Sequence, residues 1–152
     1  MAFKVNAIVE PHYPLSRKLL KKAATKTLEL MDVKGDTSVD ISVIGDRKMR
    51  SLNKEFRGKD TSTDVLSFSF ELSDKKDKFP APPGGDYLNL GDVIISYPQL
   101  LGKAAKQNML VDDMATLLVV HGILHLLGFD HEKPSEANVM EKLEDQILDQ
   151  LK

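Results

Sequence analysis

A chain of 152 residues with 41% hydrophobic and 29% charged side chains has the size and make-up of one globular domain with its own core. A net charge of −2 and a pI near 6.1 exclude a generic polyanion binder. The absence of cysteine excludes disulfides and thiolate metal sites, which leaves His, Asp and Glu as metal-ligating side chains.

Phe3 to Val9 alternates apolar and polar side chains as a strand does, and Pro11 and Pro14 end it. From Ser16, which suits a helix N-cap, Leu19, Leu20, Ala23, Ala24, Thr27, Leu28 and Met31 recur at helical spacing. Val39 to Ile44 is a second alternating segment. Asp46 is placed to cap a helix that runs to about Arg57 and stops at Gly58. Val65 to Phe70 reads as a third strand. The segment Ser73 to Asp86, with its Pro-Pro-Gly-Gly run, reads as a loop. Gly91 to Ser96 is the fourth strand and leads into a helix from Tyr97 to about Asn108. Asp112 or Asp113 is expected to cap a long apolar helix. After Pro134, Ser135 starts a last helix with Val139, Met140, Leu143, Ile147 and Leu151 inward. These elements predict an α+β fold of one domain over residues 1–152: a mixed sheet of about four strands, about five helices, and a metal site at the end of the buried central helix. The longest apolar run, residues 114–127, carries two histidines and reads as a core helix rather than a membrane span. No basic region followed by an apolar stretch opens the chain, so a cytoplasmic location with no membrane partner is expected.

Three of the four histidines fall within eleven residues, His121, His125 and His131. The first two are four apart and share one helix face, and Gly128 can end that helix in a left-handed turn that brings His131 back. Three neutral imidazoles with an open fourth position form the catalytic type of zinc site, with one zinc ion per chain. The spacing H-x-x-x-H-x-x-G-x-x-H is also the zinc frame of metzincin proteases. Those enzymes place a general-base glutamate directly after the first histidine, where this chain has Gly122, which disfavours a metzincin-like metalloprotease. Asp130 either orients a ligand or caps the turn.

Charge is unevenly spread. Residues 1–60 carry +5 and residues 61–152 carry −7. Within the first part Arg47, Arg50, Lys54 and Arg57 are spaced 3, 4 and 3 apart and form one cationic stripe suited to a phosphate backbone, with Met49, Leu52 and Phe56 opposite. Arg57, at the helix end, can reach into a cleft and stabilise charge on phosphorus. Asp64 and Asp92 each begin a strand. They read as turn and sheet anchors, with a two-magnesium site as the rival reading.

The blocks Asn53-Lys54-Glu55-Phe56-Arg57 through Thr63-Asp64-Val65-Leu66-Ser67-Phe68, Leu90-Gly91-Asp92-Val93-Ile94-Ile95-Ser96, and His121 through His131, with Glu136, Met140 and Glu144, resemble the YbeY family of bacterial endoribonucleases. Glycine after the first histidine is what that family has. The resemblance implies a zinc-dependent, single-strand-specific endoribonuclease acting in small-subunit (16S) rRNA 3′-end maturation and ribosome quality control. It implies RNA of the small ribosomal subunit as partner, ribosome assembly factors as protein partners, and no DNA. Within the resemblance His121, His125 and His131 match metal ligands and Arg57 matches a cleft arginine. A ribosome assembly factor with purely structural zinc is the non-catalytic alternative. Two residues depart from the family pattern. Phe129 stands where tyrosine is usual, and Ser62 where proline is usual, which is expected to loosen the turn into the third strand.

Overall fold

Alternating and helical periodicities settle into four strands and five helices in the computed structural model, which describes residues 3–69, 88–129 and 133–151. The strands are β1 (Phe3–Val9), β2 (Thr37–Ile44), β3 (Val65–Ser69) and β4 (Leu88–Ser96). The helices are α1 (Arg17–Leu30), α2 (Asp46–Arg57), α3 (Tyr97–Lys106), α4 (Val111–Leu126) and α5 (Pro134–Leu151). The sheet order is β1-β2-β4-β3. β1–β2 and β2–β4 are parallel and β3–β4 is antiparallel, so the sheet is mixed and the fold is α+β as expected.

The period-2 pattern of β2 sends Val39, Ile41 and Val43 to one face, where they join Ala7, Val9, Val93 and Ile95. α1 and α4 cover that face with Leu20, Ala23, Leu28, Ala115, Leu118 and Ile123. α4 is apolar nearly all round because both of its sides are covered. The sheet lies on one side, and a second cluster of Val120, Leu124, Met140 and Ile147 joins it to α5 on the other. Among the described residues no single helix is long and apolar enough to cross a membrane. α3 and α4 together have the length and composition, but they are bent by 112° at their junction.

Several local expectations need correction. Ser16 caps α1, accepting from the Leu19 N–H at 3.2 Å, and Gly58 ends α2 with φ 71°, both as expected. Asp46 does not cap α2: the N-cap is Gly45, and the Asp46 carboxylate turns to other elements. The N-cap of α4 is Leu110, and Asp112 and Asp113 occupy its first turn, where their charge complements the helix dipole. Val139 is 50% exposed because α5 buries only the Met140–Ile147 line. Phe56 is 55% exposed, so α2 seats only Met49 and Asn53 fully. The loop expected over residues 73–86 lies outside the described residues.

Candidate active site

α4 ends in a Schellman motif, which follows from Gly128 at φ 100°. The Gly128 N–H donates to the His125 carbonyl at 3.0 Å and the Phe129 N–H to the Leu124 carbonyl at 3.0 Å. Phe129 packs against the Val120–Leu124–Met140 cluster, which is the apolar contact such a motif uses. The missing tyrosine hydroxyl at this position therefore belongs to a ring with an apolar seat.

One turn earlier on α4, His121 and His125 stack edge to face with ring centroids 4.7 Å apart, their Nε2 atoms separated by 3.1 Å. The other nitrogen of His121, Nδ1, lies 2.9 Å from Oε1 of Glu144 on α5. With the Glu144 side chain only 13% exposed, an Nδ1–H donated to that carboxylate leaves the lone pair on Nε2, facing His125. Two nitrogens bound to one tetrahedral zinc at about 2.0–2.1 Å stand about 3.3 Å apart, close to the separation found. Donor type, spacing and the carboxylate behind His121 thus fit a metal. His131 and Asp130 lie outside the described residues. Among the described residues no group of three or more His, Cys, Asp or Glu side chains is disposed around one point.

The two histidines open into a cleft of about 520 Å³ whose far wall is β3 with Arg57, Asp64 and Lys103. Arg57 reaches it by crossing the edge of the sheet, where Nη2 donates to the Ser67 carbonyl at 2.8 Å and the guanidinium lies 5.3 Å from the Phe68 ring centre. The Ser67 hydroxyl in turn donates to the Gly122 carbonyl at 3.1 Å, stitching β3 to the histidine helix. Gly122 itself faces the sheet. A Cβ there would stand 2.5 Å from Cγ1 of Val93, so no side chain fits, least of all the glutamate that a metalloprotease would need.

Asp64 and Asp92 do not form a carboxylate pair. Phe68 lies opposite Asp92 and Val65 opposite Ile95, which sets the two aspartates roughly 13 Å apart along the ladder. Asp64 accepts from Lys103 Nζ at 2.8 Å and from the Val65 N–H at 2.8 Å. Burial pushes its carboxyl up, but the Lys103 hydrogen bond and charge and the Val65 N–H outweigh that and hold it below the ordinary value. Asp64 thereby fixes a cation in the cleft wall.

The cationic stripe is less uniform than its spacing suggests. Arg47, Arg50, Lys54 and Arg57 are all exposed, yet only Arg57 lines the histidine cleft. Arg47 borders a different groove beside Ser42 and Ile94, about 15 Å away along α2. Arg50 is held by Asp60 through two bonds of 2.8 and 3.2 Å. Ser62 does not loosen the turn before β3. Its hydroxyl donates to Asp46 Oδ1 at 2.6 Å, and Ser96 (2.8 Å) and Gln99 (3.2 Å) donate to the same oxygen. The Ser62 bond foremost, with Ser96 and Gln99, holds the Asp46 carboxyl below its ordinary value against the effect of burial.

Sequence reasoning missed Glu144 as the partner of His121, and Lys103 and Ser67 as parts of the cleft. Glu144 left one signal, an acid between Met140 and Ile147 on the buried line of α5. Lys103 left none, standing 39 residues from Asp64.

The endoribonuclease YbeY family model matches residues 9–152. A relative named Endoribonuclease YbeY from Dehalococcoides mccartyi is 37% identical over 149 residues, covering 93% of this chain and 86% of the relative. Another of that name from Acinetobacter baylyi is 38% identical over 146 residues, covering 95% and 89%. The solution structure of a Thermotoga maritima protein superposes with a TM-score of 0.60 at 24% identity, covering 95% of this chain and 86% of that one, which is a likeness of fold. With identity above one third along nearly the full length of such relatives, this chain belongs to the endoribonuclease YbeY family.

Proposed function

We propose that residues 1–152 form one metal-dependent endoribonuclease domain that cleaves single-stranded RNA, acting in the cytoplasm in 16S rRNA 3′-end maturation and ribosome quality control, with ribosome assembly proteins as partners. His121, His125 and His131 would hold one zinc ion. The observation that carries this reading is the meeting, in one cleft, of a carboxylate-backed histidine pair with an arginine anchored on the opposite wall. When bound, the ion supplies Lewis-acid chemistry, polarising a phosphate oxygen and acidifying water.

The chain's own residues do the rest. Glu144 holds His121 in one tautomer and orientation. Arg57 uses one N–H on the Ser67 carbonyl and has four more to present to a phosphodiester. Charge that builds on the non-bridging oxygens during attack at phosphorus is then met by a donor already in place, which lowers the barrier more than it tightens ground-state binding. Asp64 keeps Lys103 in the cleft wall as a second fixed cation.

The test combines elemental analysis of untagged protein with single-turnover cleavage of a single-stranded RNA. The unaltered chain is expected to carry about one zinc. His125→Ala should lose both metal and cleavage, and Arg57→Ala should keep the metal and cleave about 10²-fold more slowly. A full equivalent of zinc in His125→Ala refutes the ligand assignment. An unchanged rate in Arg57→Ala removes that residue from the chemistry.

A further inference from the structure

On the face of the sheet turned away from the histidines, three side chains form a cluster that the cleavage chemistry does not use. Phe56, at the end of α2, is 55% exposed, although it is a large apolar ring in the middle of a charged segment. Its ring meets that of Phe68 edge to face, centroids 5.2 Å apart at 64°. Phe68 belongs to the Leu66 side of β3, whereas the cleft-lining hydroxyl of Ser67 points to the other side, toward Gly122. Arg57 joins the two sides. Its guanidinium lies 5.3 Å from the Phe68 ring while the same residue lines the histidine cleft.

We infer that Phe56 and Phe68, with Arg57 between them and the cleft, form a stacking platform for an unpaired base of the RNA strand, on the nucleotide next to the one cleaved. The inference rests on the RNA-cleaving reading above. The surroundings of the ring select the occupant. The exposed Phe56 ring, with the Arg57 guanidinium over its partner Phe68, offers an apolar surface beside a cation, the combination that single-stranded nucleic acid uses through its bases and phosphates. An apolar peptide would gain nothing from that cation. Because the platform and the cleft lie on opposite sides of β3, the end strand of the sheet among the described residues, a strand anchored by phosphate on Arg57 has to fold around β3 to reach both. A stacked duplex, stiff and with its bases inward, cannot do that, so the platform gives a physical basis for single-strand preference.

The experiment measures equilibrium binding of a single-stranded RNA oligonucleotide to the whole chain, and its single-turnover cleavage, for the unaltered protein, Phe56→Ala and Phe56→Trp. A parallel substrate carries an abasic nucleotide next to the scissile position. Phe56→Ala should weaken binding about tenfold, Phe56→Trp should retain it, and zinc content should not change. The abasic substrate should bind the unaltered protein about tenfold more weakly and lose nothing further in Phe56→Ala. Affinity unchanged in Phe56→Ala, or a loss that is the same with the abasic substrate, overturns the platform while leaving the enzyme reading intact. Failure of the unaltered protein to bind or cleave RNA overturns the enzyme reading, and the platform with it.

Discussion

Glu144 shows how much of this site depends on a residue that touches no substrate. Its carboxylate fixes which nitrogen of His121 carries a proton and holds the ring plane toward His125. Glu144→Gln retains the shape and a hydrogen-bond acceptor but removes the carboxylate charge behind the His121 ring. It is expected to lower zinc affinity about 10- to 100-fold without unfolding the chain, as read by competition with a chelator and by circular dichroism. Unchanged affinity would reduce Glu144 to a helix-packing contact. The His121–His125 pair was legible in the sequence because its spacing is local and imidazole is scarce in the chain. Glu144 and Lys103 were not, because each meets its partner across 23 and 39 residues and no local period records that.

At the scale of elements, α4 packs against the sheet closely enough for Ser67 to reach its Gly122 carbonyl. Gly122 permits that approach. Gly122→Ala places a methyl 2.5 Å from one Val93 methyl carbon and 3.0 Å from the other, and it should destabilise the fold by about 1–3 kcal/mol in urea unfolding. Adding Val93→Ala should recover part of that loss, because the two closest contacts are with that side chain, Ser67 Oγ following at 3.3 Å; a simple sum of two losses would contradict the packing argument. Strand and helix identities followed from periodicity almost everywhere, whereas the caps of α2 and α4 did not. Asp46, Asp112 and Asp113 are all good capping residues by type, but Asp46 has better partners in Ser62, Ser96 and Gln99. The outward turn of Phe56 was equally illegible. Helical spacing places it with Met49, but nothing in the spacing shows that it meets the Phe68 ring edge to face and stays half exposed there.

Across the whole molecule the basic first part and the acidic remainder do not separate into lobes. β2 pairs with β4 and α1 packs on α4, so the two charge classes interleave, and the exposed basic side chains of the first part gather on two helices, α1 with Arg17, Lys18, Lys21 and Lys22, and α2. The members of its stripe should differ. Arg47→Ala and Lys54→Ala are each expected to weaken RNA binding and to reduce the slope of log K against log salt by about one. Arg50→Ala should change that slope less, because Asp60 already accompanies its charge, and Asp60→Ala should steepen it. Equal slopes for Arg47→Ala and Arg50→Ala would mean that RNA displaces Asp60.

The Asp46 junction has a consequence for how the molecule opens. One carboxylate ties the start of α2 to the turn before β3, to the last residue of β4 and to α3, across 16, 50 and 53 residues. α2 therefore cannot peel away from the sheet by itself, and its backbone amides should exchange with solvent in step with those of α3, as one cooperative unit distinct from α4. A carboxyl held below its ordinary 3.8 contributes stability that is complete above that pH and is lost as pH falls through the lower, folded value. Hydrogen exchange followed from about pH 5 down to about pH 3 should accordingly show α2 and α3 losing protection before α4 does. In Asp46→Asn that gap should already be open at neutral pH, and protection that falls uniformly over all helices would show that the junction does not govern the opening. Since α2 carries Arg57 and Phe56, this unit is the one whose undocking would dismantle the RNA side of the cleft while the histidine pair on α4 stays assembled.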